Sequence, residues 1–198
     1  MASVIGPRAE ASRRVRDAIV AATVRIVARE GVAAVTHRRV ATEAGVALSS
    51  TTWHFASKAD ILEAALAWTA DGEVTRIRAI ADRLGDAPFD PSAWAEELGD
   101  WLVEQVTTER ETAIALYRLQ VELLGTEPAL AVHREWGQRL REVGTRALEP
   151  LATATPELDV RIVVATLDGL RMSLLNSGDP DVEWLRLAVR RQLQALLG

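Results

Sequence analysis

The sequence has 198 residues, of which 48% are hydrophobic, and a formal net charge of −5. Its apolar content is too high for a disordered chain, and the absence of cysteine excludes disulfides, thiol catalysis and cysteine-ligated zinc. Because the N-terminal segment lacks the apolar core of a signal peptide and charged residues interrupt the apolar stretches, we expect a soluble cytoplasmic protein with no cofactor or metal.

Charge is distributed unevenly along the chain. Residues 1–58 contain nine basic and four acidic residues, a net charge of +5, whereas the remainder contains 14 basic and 24 acidic residues, a net charge of −10. A basic segment in an acidic protein favours contact with a polyanion such as nucleic acid. A solvated basic face that arose by chance clustering is the alternative, and charge alone leaves both open.

Apolar residues recur at intervals of three and four rather than two, which predicts an all-α fold of about nine helices. The first helix is expected over residues 12–30, where Gly31 stops it. The residues expected on its buried face are Val15, Ile19, Ala22 and Ile26. The second helix is expected over 37–44, with Thr36 as its N-cap, and the third over 48–53.

The later helices are delimited by capping residues and prolines. The fourth is expected to begin after Ser57, whose hydroxyl forms a capping box with Asp60, and to extend to residue 84. A capping residue precedes Pro91, Pro156 and Pro180, and this order predicts a helix start at each. The five remaining helices are expected over 91–108, 110–124, 127–148, 156–177 and 180–197.

The second and third helices are joined by Ala44, Gly45 and Val46. Gly45 can adopt the positive φ that a sharp turn requires, so two short helices joined here predict a helix-turn-helix whose second helix enters the major groove of DNA. Four consecutive residues of that helix carry hydroxyls, namely Ser49, Ser50, Thr51 and Thr52. Such short side chains can lie close to phosphates and base edges, although a poor helix-forming run at a loop is the alternative explanation.

The segment from about Arg13 to Leu66 resembles the DNA-binding domain of the tetracycline-repressor (TetR) family of transcriptional regulators. The resemblance rests on arginines that open a helix, a glycine break, the Ala-Gly-Val turn, the run Trp53-His54-Phe55 and the pair Ser57-Lys58. It implies base contacts near Arg38 and Ser50. The residues that it assigns to phosphate contacts are Thr36, Trp53, His54 and Lys58.

The position of the basic residues agrees with this resemblance. Lys58 is the only lysine in the chain and would lie in the first turn of the fourth helix, which is the unfavourable end for a cation. A phosphate bound there would reverse that effect, because the ammonium and the backbone N–H groups would converge on one anion. Either Arg38 or Arg39 can make a bidentate contact to guanine.

Two positions depart from the family pattern. Ala47 stands where serine or threonine is frequent, so the third helix is expected to start late with Ser49 as its cap. Thr52 stands where tyrosine is frequent, which removes one phosphate contact. Phe55 is expected in the core.

The segment 165–170 resembles the penultimate helix of TetR-family proteins. In the family, the last two helices of each subunit form a four-helix dimer interface. The residues expected in such an interface are Ala165, Gly169, Ser173, Leu185, Val189 and Leu193. A bundle formed within one chain is the alternative explanation of these stripes.

The middle helices carry aromatic residues with polar tips, which suit either a protein core or a small-molecule pocket. The family resemblance implies an effector pocket there. The candidate lining residues are Trp101, Leu116, Tyr117, Gln120 and Trp136. The amide of Gln120 on an apolar helix face needs a partner, which the backbone, water or a ligand could supply. The aromatic neighbours favour a flat or largely apolar effector.

The leading hypothesis is a homodimeric repressor that binds a palindromic operator and releases it when a small effector binds. Residues 1–58 would form the DNA-binding domain, and residues 59–198 the effector-binding and dimerisation domain. An all-helical enzyme and a helical small-molecule-binding module without DNA binding are the alternatives. The sequence shows no metal-binding spacing of histidines, no phosphate-binding glycine loop and no nucleophile with an adjacent base, so no enzyme is predicted.

Overall fold

The computed structural model describes residues 6–85, 90–149, 154–177 and 181–195, and the regular structure within these ranges is entirely helical. The helices are α1 Pro7–Glu30, α2 His37–Ala44, α3 Leu48–His54, α4 Lys58–Leu84, α5 Pro91–Val106, α6 Arg110–Glu122, α7 Glu127–Leu148, α8 Pro156–Ser177 and α9 Val182–Gln194. The predicted all-α fold is confirmed. Over the described part of the chain, no helix combines the length and apolar content that crossing a membrane requires.

Side-chain caps begin α2 and α4 as predicted. The Thr36 hydroxyl accepts a hydrogen bond from the Arg39 backbone N–H at 3.1 Å. The Asp60 N–H donates to the Ser57 hydroxyl at 3.2 Å, and the Ser57 N–H donates to the Asp60 carboxylate at 2.9 Å. These two reciprocal bonds confirm the capping box, which satisfies N–H groups that the first turn of a helix leaves unpaired.

Some helix ends differ from the expectation. Helix α1 begins at Pro7 rather than at residue 12, because proline suits the first helical position, where its missing N–H costs nothing. Helices α5 and α6 end at Val106 and Glu122, slightly earlier than expected. The Asp181 carboxylate caps α9 by accepting from the Trp184 N–H at 2.9 Å, whereas the expected start at residue 180 lies outside the described residues.

The described residues form two compact units. The first unit comprises the chain up to Ala70 together with Ile114–Val132. Its core contains the expected face of α1 and the ring of Phe55, which is 5% exposed, as predicted. The most deeply buried members of this core include Ile19, Ile26, Val27, Val40, Ile61, Leu66 and Leu119.

The second unit comprises Asp71–Ala113 and the chain from His133 onward. Helices α5 and α9 pack closely, since Gly99 lets them approach: a Cβ at this position would lie 3.1 Å from Cγ of Arg186. Buried side chains of α5, α8 and α9 fill the interior. The predicted boundary at residue 58 separates a DNA-binding domain from an effector-binding and dimerisation domain. It is defined by function and stays a prediction.

The turn between α2 and α3 depends on the backbone of Gly45, with φ +65° and ψ 32°. The Val46 N–H donates to the Ala41 carbonyl at 3.0 Å, and the Gly45 N–H donates to the Thr42 carbonyl at 3.3 Å. This is the Schellman arrangement that closes a helix with a left-handed residue. A Cβ at Gly45 would have no neighbour within 4 Å, so conformation rather than space requires glycine.

We predict that Gly45→Ala lowers the free energy of unfolding by about 1–2 kcal/mol, because an L-residue is strained in the left-handed region. Gly72→Ala is the matched control. Gly72 lies inside α4 with open space around a Cβ, so that change should raise the free energy of unfolding by about 0.5–1 kcal/mol. Urea unfolding measures both. A stabilising effect of Gly45→Ala would contradict the requirement for a positive φ.

Candidate functional site

The helix-turn-helix exposes one face of α3. Ser49 and Thr52 are exposed and Ser50 is half-buried. Trp53 is 74% exposed, which is unusual for the largest apolar side chain. Helix α3 begins at Leu48 with Ala47 as an N-cap that makes no side-chain bond, so the expected cap role of Ser49 is wrong and its side chain stays on the exposed face. Small hydroxyls beside an exposed aromatic form a surface that another molecule can approach closely.

Thr51 does not belong to this face. It is fully buried, its hydroxyl donates to the Leu48 carbonyl at 2.8 Å, and the same oxygen lies 3.2 Å from Nδ1 of His37. The prediction that Thr51 contacts DNA is therefore corrected. Four consecutive residues of a helix point in different directions, and this one points into the core. Its hydrogen bonds join α3 to the start of α2.

The adjacent arginines of α2 have different surroundings. Arg38 is exposed, whereas Arg39 pairs with Glu30 at 2.6 Å and with Glu43 at 3.1 Å. Hydrogen bonds to Glu30 and then to Glu43 raise the pKa of Arg39. The pair with Glu30 joins α2 to α1, and the pair with Glu43 lies within α2. Because both pairs occupy its guanidinium donors, Arg39 is less available than Arg38 to read a base.

Glu43 is the only acidic residue between positions 31 and 58. Its carboxylate accepts from Arg25 Nε at 3.0 Å and lies 3.9 Å from the Arg29 guanidinium, and 18% of the side chain is exposed. Hydrogen bonds from Arg25 and then from Arg39 lower the pKa of Glu43. The carboxylate is therefore ionised at neutral pH and neutralised by arginines, so that it adds little negative charge to the exposed surface of α2 and α3.

Two further polar groups lie where α3 ends and α4 begins. The His54 ring meets Trp53 edge-on, with the ring centroids 4.5 Å apart. Burial and then repulsion by the Arg16 guanidinium lower the pKa of His54, so the imidazole is neutral at neutral pH and retains one N–H donor. Lys58 is the first residue of α4, where its ammonium adds to the positive end of the helix dipole.

The residues predicted to line an effector pocket lie in both units. Leu116, on α6, is 3% exposed and belongs to the core of the first unit, as do Leu119 on the same helix face and Leu123 just after the helix. Its contact with an effector stays a prediction. Tyr117 and Gln120 are half-buried on α6, and their contact with an effector stays a prediction.

Trp101 of α5 and Trp136 of α7 belong to the second unit. The indole Nε1 of each is buried and has no hydrogen-bond partner in the described protein. The Arg171 guanidinium lies 5.9 Å from the centroid of the Trp101 ring, and the His133 ring stacks on Trp136 at 5.7 Å. A buried donor without a partner is costly, so both indoles are candidates to meet a ligand acceptor.

The second unit also contains an apolar cavity of about 60 Å³, which the sequence did not indicate. Its lining comes from five helices and includes Ile77, Trp94, Leu98, Leu140, Val160 and Leu167. Aliphatic residues at helical spacing suggest an ordinary core, so no sequence signal separates a cavity from a filled interior. The volume is far below the roughly 300–1,000 Å³ of typical ligand pockets, and a flat aromatic molecule would have to push these helices apart.

The predicted dimer residues of α8 and α9 have different environments. Ala165, Gly169 and Ser173 are exposed along α8, and a Cβ on Gly169 would meet nothing within 4 Å. Three residues of α9, predicted for the same interface, are instead at most 3% exposed because this stripe faces the interior of the second unit. Leu185, Val189 and Leu193 are therefore core residues and not residues of a dimer interface. Other large apolar residues of α8 and α9, which were not predicted as interface residues, are exposed, namely Leu158, Ile162, Met172, Trp184 and Leu187.

Comparison with known families gives matches along most of the chain. Residues 19–65 match the model for bacterial regulatory proteins of the tetR family. Residues 89–198, more than half of the chain, match the model for the tetracyclin repressor-like C-terminal domain. No curated protein matches the chain by sequence.

Solved structures extend this similarity. The multidrug binding protein EbrR complexed with ethidium is 31% identical, with 90% of this chain and 98% of that chain covered and a TM-score of 0.67. A TetR-family member from Streptomyces coelicolor is 30% identical, with 90% and 97% covered and a TM-score of 0.70. EbrR is also known in complexes with malachite green and proflavin.

The contrast between the two arginines of α2 gives a test. We predict that Arg39→Ala lowers the melting temperature, because it removes the ion pair with Glu30 that joins α2 to α1 and the pair with Glu43 within α2, whereas Arg38→Ala leaves it within error. Thermal unfolding followed by circular dichroism measures both. An equal loss in the two variants would mean that the ion pairs of Arg39 do not stabilise the first unit.

Proposed function

Because the chain belongs to the TetR family of DNA-binding transcriptional regulators and carries their ligand-binding C-terminal domain, we propose that it represses transcription by binding a palindromic operator as a homodimer. The observation that carries the proposal is the exposed face of α3, which follows a helix whose Glu43 carboxylate is paired with arginines. As the family consists of regulators, the enzyme alternative is dropped. We also propose a cytoplasmic location, because a transcriptional regulator acts on chromosomal DNA.

In this proposal α3 enters the major groove. The exposed hydroxyls of Ser49 and Thr52, with the half-buried Ser50, lie close to phosphates and base edges. The guanidinium of Arg38 donates two hydrogen bonds to one guanine. The Thr36 hydroxyl accepts a backbone bond and can still donate its own hydrogen to a phosphate. The exposed Trp53 packs against the DNA backbone.

Phosphate binding continues at the junction of α3 and α4. The neutral His54 ring supplies one N–H donor, and the Lys58 ammonium joins the first-turn N–H groups of α4 on a single phosphate. Such contacts fix the position of the protein on the duplex and supply most of the salt-dependent affinity.

The homodimer is proposed from the exposed face of α8 and α9. Exposed apolar residues on both helices flank the small residues Ala165, Gly169 and Ser173. Large apolar side chains in a row are costly in water, and small residues permit close helix approach. Self-association through this face would give the two-fold symmetry that a palindromic operator requires.

The effector is proposed to be a small, largely apolar molecule bound in the second unit. EbrR has been solved with ethidium, malachite green and proflavin, which are flat aromatic cations. By analogy we infer a flat aromatic effector for this chain, bound near Trp101, Trp136 and the apolar cavity. It releases DNA only if it binds the released arrangement more tightly than the DNA-bound one.

The DNA-binding proposal is tested with the fragment upstream of the protein's own gene. Lys58→Ala should weaken binding to all sequences alike and lower the slope of log K against log salt by about one, because one phosphate contact is lost. Arg83→Ala is the control, since it removes an exposed positive charge from the second unit and should leave the slope unchanged. Electrophoretic mobility shifts at several salt concentrations measure both. A wild-type chain that does not bind this DNA would refute the repressor proposal.

The dimer proposal is tested with Gly169→Leu, which should separate the subunits because the added side chain fills the face on which α8 would meet its partner. DNA affinity should then fall about a hundredfold, since each half-site is bound alone. Gly72→Leu is the matched control, because Gly72 is also an exposed helical glycine with open space around it. Analytical ultracentrifugation gives the oligomeric state, and a dimer that persists with Leu at position 169 would move the interface elsewhere.

A further inference from the structure

Arg16 of α1 lies beside the junction of α3 and α4. Its guanidinium is 5.3 Å from the centroid of the Phe55 ring, and that ring is 5% exposed. The centroids of the Phe55 and His54 rings are 6.4 Å apart, and Lys58 begins α4 three residues after Phe55. A side chain of the first helix thus reaches the end of the third helix, although 39 positions separate Arg16 from Phe55 in the sequence.

The charge of Arg16 is not used within the first unit. The residue is exposed, and its guanidinium forms no ion pair or hydrogen bond with the described residues. Asp17 follows it directly, but adjacent residues of a helix do not face each other. Arg14, two residues earlier, differs because it pairs with Glu10. The N–H donors of Arg16 are therefore available to a molecule outside the chain.

The contact with Phe55 holds Arg16 in place without neutralising it. A guanidinium close to an aromatic ring is attracted by the π electrons, and this attraction requires neither a carboxylate nor an N–H hydrogen bond. The planar guanidinium can at the same time donate two parallel hydrogen bonds to the oxygens of one phosphate. A charged side chain that is restricted by an aromatic ring and has free donors suits the binding of an anion.

The neighbouring groups at the junction also favour an anion. The Arg16 guanidinium is close enough to His54 to contribute, after burial, to the lowered pKa of that imidazole. Lys58 forms no ion pair within the described part of the chain. The Asp60 carboxylate accepts from the Ser57 N–H in the capping box and pairs with neither cation. The junction therefore presents two cations and one neutral N–H donor.

We propose that Arg16 binds a phosphate of the DNA backbone next to the phosphate bound by His54 and Lys58. The inference rests on the proposed function, since it assumes that α3 enters the major groove. It adds α1, which lies outside the helix-turn-helix, to the elements that contact DNA. Because phosphates are the same at every base pair, Arg16 contributes to affinity and salt dependence and not to the choice of operator.

The test measures binding of the full chain to the fragment upstream of its gene and to an unrelated duplex at several salt concentrations. Arg16→Gln should lower the slope of log K against log salt by about one and weaken binding to both duplexes about five- to tenfold at 0.1 M salt. Arg16→Lys keeps the charge and should keep the slope.

Arg14→Gln is the matched control. It makes the same change of charge at an exposed arginine of the same helix, but Arg14 points about 200° away from Arg16 around the helix axis and pairs with Glu10. It should leave the slope unchanged. An equal fall in slope for Arg14→Gln would mean that the first helix acts only through its total charge, and the assigned contact of Arg16 would then be wrong.

The wild type gives an independent measurement. Phenylglyoxal modifies accessible arginines, and mass spectrometry locates the modified residues. DNA should protect Arg16 from modification and leave Arg14 as reactive as in the free protein. This comparison also decides the question if circular dichroism shows that Arg16→Gln is unfolded, and equal modification of Arg16 with and without DNA would overturn the inference.

The outcomes distinguish this inference from the proposed function. If folded Arg16→Gln has the slope of the wild type while Lys58→Ala lowers it, only the role of Arg16 is wrong. If Arg16→Gln changes the preference between the two duplexes and leaves the slope unaltered, a phosphate contact is likewise excluded. If the wild type binds neither duplex, both the inference and the proposed function are wrong.

Discussion

The first unit depends on Arg118, which holds α6 against the end of α1. Its Nη1 donates to the Val27 carbonyl at 2.8 Å and to the Ala28 carbonyl at 2.9 Å. The last turn of a helix carries partial negative charge, which favours a guanidinium there. The Val27 carbonyl already accepts from the Gly31 N–H at 3.1 Å, so Arg118 is its second donor. Leu119 of the same helix and Leu123, which directly follows it, enter the core that contains Val27. Helix α6, distant in sequence, is thus a structural part of the helix-turn-helix unit, and a ligand at its neighbouring residues would act directly on the support of α1.

Features that depend on residues within about four positions were predictable from the sequence. The Thr36 cap, the positive φ at Gly45 and the Ser57–Asp60 capping box each need only a local backbone geometry and one or two side chains. The early start of α1 was not predicted, because the apolar periodicity begins further along the chain than Pro7. Most of the helices follow from such local signals.

Features that depend on a distant partner could not be predicted in this way. Both stripes of α9 carry apolar residues, and only the packing of α9 on α5 shows that Leu185 is inside while Leu187 is outside. Arg38 and Arg39 are adjacent arginines, so the sequence gives no reason to assign them different roles. Their roles differ in the structure because Arg39 pairs with the carboxylates of Glu30 and Glu43. The cavity and the unpaired oxygen of Glu73 arise from several helices at once, so neither leaves a mark at any one position.

Glu43 in the first unit and Glu73 in the second unit have different partners, and their pKa values are shifted in opposite directions. Glu43 has arginines on both oxygens and a lowered pKa, which leaves the neighbouring surface positive. Glu73 is buried with one oxygen unpaired and a raised pKa. Both residue types occur on α4, since Lys58 begins this helix and Glu73 lies in its second half.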